Sequence, residues 1–224
     1  MWALLALVLI AHVIAMFSGA LTLEAVMQPL LMPALILCLL TAVPLETTTA
    51  KLVLASLVAS WFGDLFPNFT TQPRAVSVGF VLISMILYIV ALAPLWKQSW
   101  DGLKLLMAVP YLGVVFGLFI ACADGAGTLL PLVLVYALAI AALAFLGSGI
   151  NANTWMGGTL LLVTSSVQGV DWFLPGASIA HADVWVMATY VIGHAFLLLG
   201  VLQILPNRRW SGTECGGSMV VIEG

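Results

Sequence analysis

Residues 125–170 read GAGTLLPLVLVYALAIAALAFLGSGINANTWMGGTLLLVTSSVQGV, without one Asp, Glu, Lys or Arg. An α-helix needs about 20 residues to cross a hydrocarbon core of about 30 Å. The run is too long for one crossing and long enough for two. Near its middle, Gly147-Ser148-Gly149-Ile150-Asn151-Ala152-Asn153 has the composition of a turn. It divides the run into a helix from about Leu129 to Leu146 and another from about Thr154 to Leu174. A lipid-facing surface excludes charge, and backbone groups at membrane depth must be satisfied inside the segment, which favours helices over open strands.

The rest of the chain extends this pattern. Of its 224 residues, 63% are hydrophobic and only 7% charged, against about 25% charged in a soluble domain. Working outward gives six more apolar segments. They run from about Trp2 to Leu23, Val26 to Val43, Ala50 to Phe66, Ala75 to Leu95, Leu103 to Ala123 and Val184 to Leu205. The expected fold is an all-α, polytopic membrane helix bundle of about eight crossings. It forms a single domain over residues 1–206, with a polar, disordered tail over 207–224. The alternative is seven crossings, with the second or third segment re-entrant, because Pro29 and Pro33 remove backbone donors from the second. The first segment lacks the basic start of a cleavable signal and reads as a membrane helix. The Gly113-x-x-x-Gly117 pair would let the fifth helix approach a neighbour closely.

With eight crossings, Lys51, Lys97, Lys104, Arg208 and Arg209 fall on one side and Arg74 alone on the other. The positive-inside rule places the five-charge side, and both termini, in the cytoplasm, and the expected location is a bacterial inner membrane. Trp96, Trp100, Trp155, Trp172, Trp185 and Trp210 fall near helix ends, as an interfacial belt requires. The net charge of −3 and the absence of any basic run argue against a nucleic-acid partner. Cys38, Cys122 and Cys215 are scattered, with neither a disulfide framework nor a metal-ligand spacing. No phosphate-binding glycine loop, zinc-binding HExxH or GxSxG elbow occurs. No metal and no cofactor is expected.

Ionisable groups at membrane depth cost about 2.5–3.5 kcal/mol at a helix centre, so they are candidate functional residues. Asp64 lies 13 residues after Lys51, roughly 20 Å along the helix. It is a candidate general acid; the structural alternative is an interfacial carboxylate at a helix end or paired with Arg74. His194 lies 11 residues after Asp183, roughly 16 Å in. His12 is isolated from other polar groups in the sequence. Gln28, Ser165 and Ser166 add polar groups, with Ser166 at about the depth of Asp64, although hydroxyls in membrane helices usually serve packing. The polar membrane residues gather in the middle and the outer half, which suggests a cavity open to the outer side. No charged residue lies deep in the inner half, so no continuous ion path is indicated.

These residues also resemble a known family, the YhhN-like membrane proteins that include lysoplasmalogenases. Gln28-Pro29-Leu30 resembles the family's Lys-Pro-Leu. Ala59-Ser60-Trp61-Phe62-Gly63-Asp64 resembles its small-residue segment ending in Gly-Asp. Gly79-Phe80 with Ser84-Met85-Ile86-Leu87-Tyr88 resembles its Gly-x-x-x-Phe and Ser-His-x-x-Tyr region. Gly158-Thr159-Leu160-Leu161-Leu162 through Ser165-Ser166 resembles its Gly-Ala-Leu-Leu-Phe segment ending in Ser-Asp. Tyr190-Val191-Ile192-Gly193-His194 resembles its Tyr-x-x-Ala-Gln segment.

The resemblance implies a hydrolase of lipid metabolism that cleaves the vinyl ether bond of a lysoplasmalogen. Its products are a fatty aldehyde and a glycerophospho-base. Asp64 and His194 are then the expected catalytic residues, with Gln28, Tyr88, Ser165, Ser166 and Tyr190 binding a lysophospholipid substrate. Three positions depart from the family pattern: Gln28 stands for Lys, Met85 for His and Ser166 for a second Asp. Either His194 takes the second acid–base role, or the substrate differs, or the chain binds an amphiphile without turnover. A small transporter is a further alternative, supported only by the prolines of the second segment.

Overall fold

Pro29 and Pro33 are the first test of the sequence reading, because each removes an N–H from a membrane helix. In the computed structural model, which describes residues 2–18, 21–96 and 102–205, both lie inside one continuous helix, Leu21–Ala42. The proline at 33 has no N–H for the carbonyl four residues earlier, that of Pro29. The indole Nε1–H of Trp61, from the next helix, donates to that carbonyl at 2.9 Å. A tertiary hydrogen bond thus satisfies a backbone group that lipid cannot.

The described residues form eight α-helices and no strand: α1 Trp2–Ser18, α2 Leu21–Ala42, α3 Thr48–Leu65, α4 Pro73–Leu92, α5 Gly102–Ala126, α6 Leu130–Ser148, α7 Ala152–Phe173 and α8 Ala182–Leu202. Among the described residues, four helical stretches are long and apolar enough to cross a membrane: Thr48–Phe69, Pro73–Leu95, Ala108–Ser148 and Ala182–Leu202. The third is 41 residues long. A short 3-10 turn at Gly127–Leu129 divides it, with Gly127 in the left-handed region at φ +50°, and α5 packs side by side with α6.

The first boundary differs from the sequence expectation. α1 ends at Ser18 rather than Leu23, and α2 begins at Leu21. Apolar composition cannot mark a break whose two flanks are equally apolar. The expected disordered tail, and the positions of Lys97, Arg208, Arg209, Trp100, Trp210 and Cys215, lie outside the described residues.

Six helices pack as a ring in the order α2, α3, α4, α6, α7, α8, closed by contact between α8 and α2. α1 lies against α2 and α8, and α5 against α6 and α7. Lipid supplies no hydrophobic force between helices, so close packing falls to small residues. A Cβ on Gly157 would sit 2.6 Å from the backbone N of Leu197, and one on Gly158 would sit 2.7 Å from the Ala144 Cα. α7 is therefore pressed between α6 and α8. The turn between α6 and α7 is held by polar side chains. Asn151 caps α7 by accepting from the Thr154 N–H at 2.9 Å, and its amide donates to the Gly200 carbonyl at 2.9 Å.

The expected close approach at Gly113 and Gly117 does not occur. Both glycines are exposed, and a Cβ on either would meet nothing within 4 Å. Small residues permit close packing only where a neighbour is present, and this face of α5 has none among the described residues.

Candidate functional site

Asp64 is the penultimate residue of α3. A carboxylate is disfavoured there by the negative end of the helix dipole, by about 0.3–1 kcal/mol. Among the described residues no hydrogen bond or ion pair holds it, and the pairing with Arg74 weighed as an alternative is not formed. Instead it lines a half-open cavity of about 370 Å³ at one end of the bundle. Arg74, Gln28, Tyr136, Gln168 and Tyr190 also line this cavity. It is bounded by the C-terminal ends of α3 and α7 and the N-terminal parts of α2, α4 and α8. That grouping follows from helices that alternate in direction.

Arg74 sits in the first turn of α4. Its guanidinium lies 5.7 Å from the Trp172 ring centre and 5.9 Å from that of Phe173, and donates to the Trp172 carbonyl at 3.4 Å. A second cavity of about 220 Å³ adjoins the first through Gln28, Gln168 and Trp172 and carries Asp171 and Asp183. An apolar groove of about 60 Å³ between α5, α6 and α7 meets the first cavity at Tyr136, Gln168 and Trp172.

Tyr190 forms the inner wall. It is 8% exposed, and its hydroxyl is buried without a well-formed hydrogen bond. Behind it lies a polar cluster that does not reach the cavity. His194 meets the Tyr190 ring edge to face at 4.6 Å between centres. Its Nδ1 lies 3.2 Å from the Tyr88 hydroxyl and its Nε2 3.4 Å from Ser60 Oγ. Ser60 donates to Ser84 at 2.7 Å. Each ring nitrogen of His194 thus has one hydroxyl neighbour, Ser60 at Nε2 and Tyr88 at Nδ1. Both nitrogens of this fully buried imidazole have partners.

The structure thus brings Asp64, Gln28 and Tyr190 to one cavity and sets Tyr88 and His194 directly behind it. It does not bring Ser165 and Ser166 to Asp64. These two line the apolar groove, where their hydroxyls donate to the carbonyls of Leu161 and Leu162 at 2.8 and 2.7 Å. Ser165 Oγ also lies 2.6 Å from the Tyr136 hydroxyl. His12 is buried on α1.

Sequence reasoning did not place Tyr136, Gln168 or Trp172 in the site, and read Trp172 only as part of the interfacial belt; all three line more than one compartment. Tyr136 is the only tyrosine of the uncharged run 125–170, which was the one available signal. Arg74 was seen as the lone cation of its side but not as part of the site.

No curated protein and no solved structure matches this chain. The YhhN family model matches residues 23–201, well over half of the chain. That match spans every helix that frames the cavity, from α2 to α8, and the chain belongs to the YhhN family.

Proposed function

We propose that the chain is a membrane hydrolase of lysoplasmalogenase type, acting at the Asp64 cavity. The observation that carries this reading is the setting of Asp64. An unpaired carboxyl at the unfavourable end of a helix, facing a cavity, costs stability and returns no structural contact. A role in chemistry explains why it is there.

The reaction needs one acid and then one base. The Asp64 carboxyl gives its proton to the outer vinyl carbon, and the carbon bearing the ether oxygen becomes an oxocarbenium ion. Water adds to that carbon and returns a proton to the Asp64 carboxylate. The hemiacetal then collapses to a fatty aldehyde and the freed glycerol hydroxyl. The net change is the addition of one water. One carboxyl can serve both steps in turn, as the acid of a retaining glycosidase does. The Tyr190 ring shapes the inner wall against the substrate, and Gln28 binds beside it. His194 and Tyr88 act behind the wall as positioning residues that fix the Tyr190 ring.

The competing reading is an amphiphile-binding relative without turnover. It is favoured by Ser166, whose hydroxyl is committed to the Leu162 carbonyl and cannot move a proton near neutral pH. The two readings part on aldehyde release from vinyl-ether lysophosphatidylethanolamine by purified protein in nanodiscs. Release is expected, with Asp64→Asn lowering it by about 10²–10⁴-fold, the usual contribution of a general acid, while thermal unfolding is retained. Folded protein that binds the lipid but releases no aldehyde would leave the binding reading in its place.

A further inference from the structure

Hydrolysis at Asp64 needs a water molecule after the substrate has filled the cavity, and the second cavity offers a separate way in. The two cavities share a wall of Gln28, Gln168, Trp172, Val186 and Met187. Both amides are half-buried, and neither makes a hydrogen bond among the described residues. Each carries two donors and an acceptor that can serve water. Behind this wall the second cavity, about 220 Å³, is far larger than the about 10–15 Å³ that one water needs. A held water also needs about two to four polar partners. Gln28 and Gln168 supply them on the inner side, and Asp171 and Asp183, both exposed, supply them at the mouth. The two openings differ in charge. Arg74 is the one Lys or Arg lining the first cavity, whereas the second is lined by two acids and by no Lys or Arg. An anionic substrate is drawn to the first mouth and repelled at the second, and neutral water is indifferent to both fields.

We infer that the second cavity is the water port of the site, and that Gln28 and Gln168 pass water across the shared wall toward Asp64. This deepens the hydrolase reading and rests on it for the reaction that consumes the water. The substrate enters beside Arg74 and closes that mouth. Water then arrives only from the side of Asp171 and Asp183, and the amides hold it until the oxocarbenium ion forms. The water oxygen bonds the cationic carbon, and a water proton goes to the Asp64 carboxylate. Gln28 borders both cavities, so one of its amide atoms serves the substrate while the other serves water. Gln168 is a positioning residue for the water.

Access to position 64 is measured without turnover. Full-length Asp64→Cys protein that also carries Cys215→Ser is placed in nanodiscs. It is treated with two methanethiosulfonates, one bearing a trimethylammonium group and one a sulfonate. Intact-protein mass spectrometry gives each rate, and the chain with Cys215→Ser alone gives the background from Cys38 and Cys122. Asp183→Trp and Met16→Trp each place an indole in the second cavity from a different helix. Both are expected to slow the cationic reagent about tenfold and the anionic one less than about twofold. Arg74→Gln is expected to slow the anionic reagent alone. Equal slowing of both reagents by the two tryptophans, or slowing of neither, would overturn the separate port. The amides are tested by turnover. Gln168→Leu is expected to lower kcat for aldehyde release about tenfold with KM unchanged, as loss of water delivery rather than of substrate binding requires. A raised KM at unchanged kcat would make Gln168 a substrate contact and overturn its role. An unsubstituted chain that releases no aldehyde fails the hydrolase reading, and with it the use of the port, while the access rates decide separately whether the port exists.

Discussion

Tyr88 and Tyr190 are chemically identical side chains that the bundle uses in opposite ways. Tyr88 is fully buried and its hydroxyl bonds His194 at 3.2 Å. The Tyr190 hydroxyl is buried with no well-formed bond. Removing a bonded hydroxyl leaves its partner unsatisfied, at about 1–3 kcal/mol. Removing an unpartnered one relieves a cost. Tyr88→Phe is therefore expected to lower the thermal unfolding temperature in detergent. Tyr190→Phe is expected to hold or raise it. A stability loss at Tyr190 equal to that at Tyr88 would place it in the packing rather than the site. Asp64 was legible in the sequence because charge is rare at membrane depth. The role of Tyr136 was not, since the face of a helix on which an uncharged polar residue matters is known only once its neighbours are.

At the scale of elements, α7 is the axis of the fold. Gly157 and Gly158 let α8 and α6 approach to distances that no side chain admits. Gly157→Leu is expected to cost about 1–3 kcal/mol or more, because the backbone of α8 must move. Gly117→Leu is expected to be nearly neutral, since its Cβ meets open space. Thermal unfolding of the two variants side by side checks this, and equal losses would contradict the packing described. The motif-like spacing at Gly113 and Gly117 pointed to the wrong helix. A small-residue pair records only that close approach is permitted. α2 makes the complementary point, since its two prolines lie within a continuous helix and Trp61 of α3 meets the carbonyl that Pro33 leaves free.

For the whole molecule, we propose eight crossings with the five-cation side in the cytoplasm. The structure gathers Asp64, Arg74, Asp171 and Asp183 around adjoining cavities at one end, which this orientation directs outward. Ser178 and Glu46, both exposed, mark the α7–α8 and α2–α3 connections. In a chain with Cys215→Ser, an impermeant maleimide added to intact cells is expected to label Ser178→Cys. Glu46→Cys is expected to react only after permeabilisation. The reverse pattern would invert the topology and point the cavity inward. Sequence alone determined the membrane-helix class and the α6–α7 break, and it singled out Asp64 as a candidate. Each depends on transfer from water to lipid, which is additive along the chain. Only the tertiary structure decided that Ser166 lies in the groove, that His194 stands behind Tyr190, and that Arg74 faces the cavity of Asp64. Those relations depend on helix rotation and pairing, and in an almost uniformly apolar chain these are set by side-chain shape rather than hydropathy.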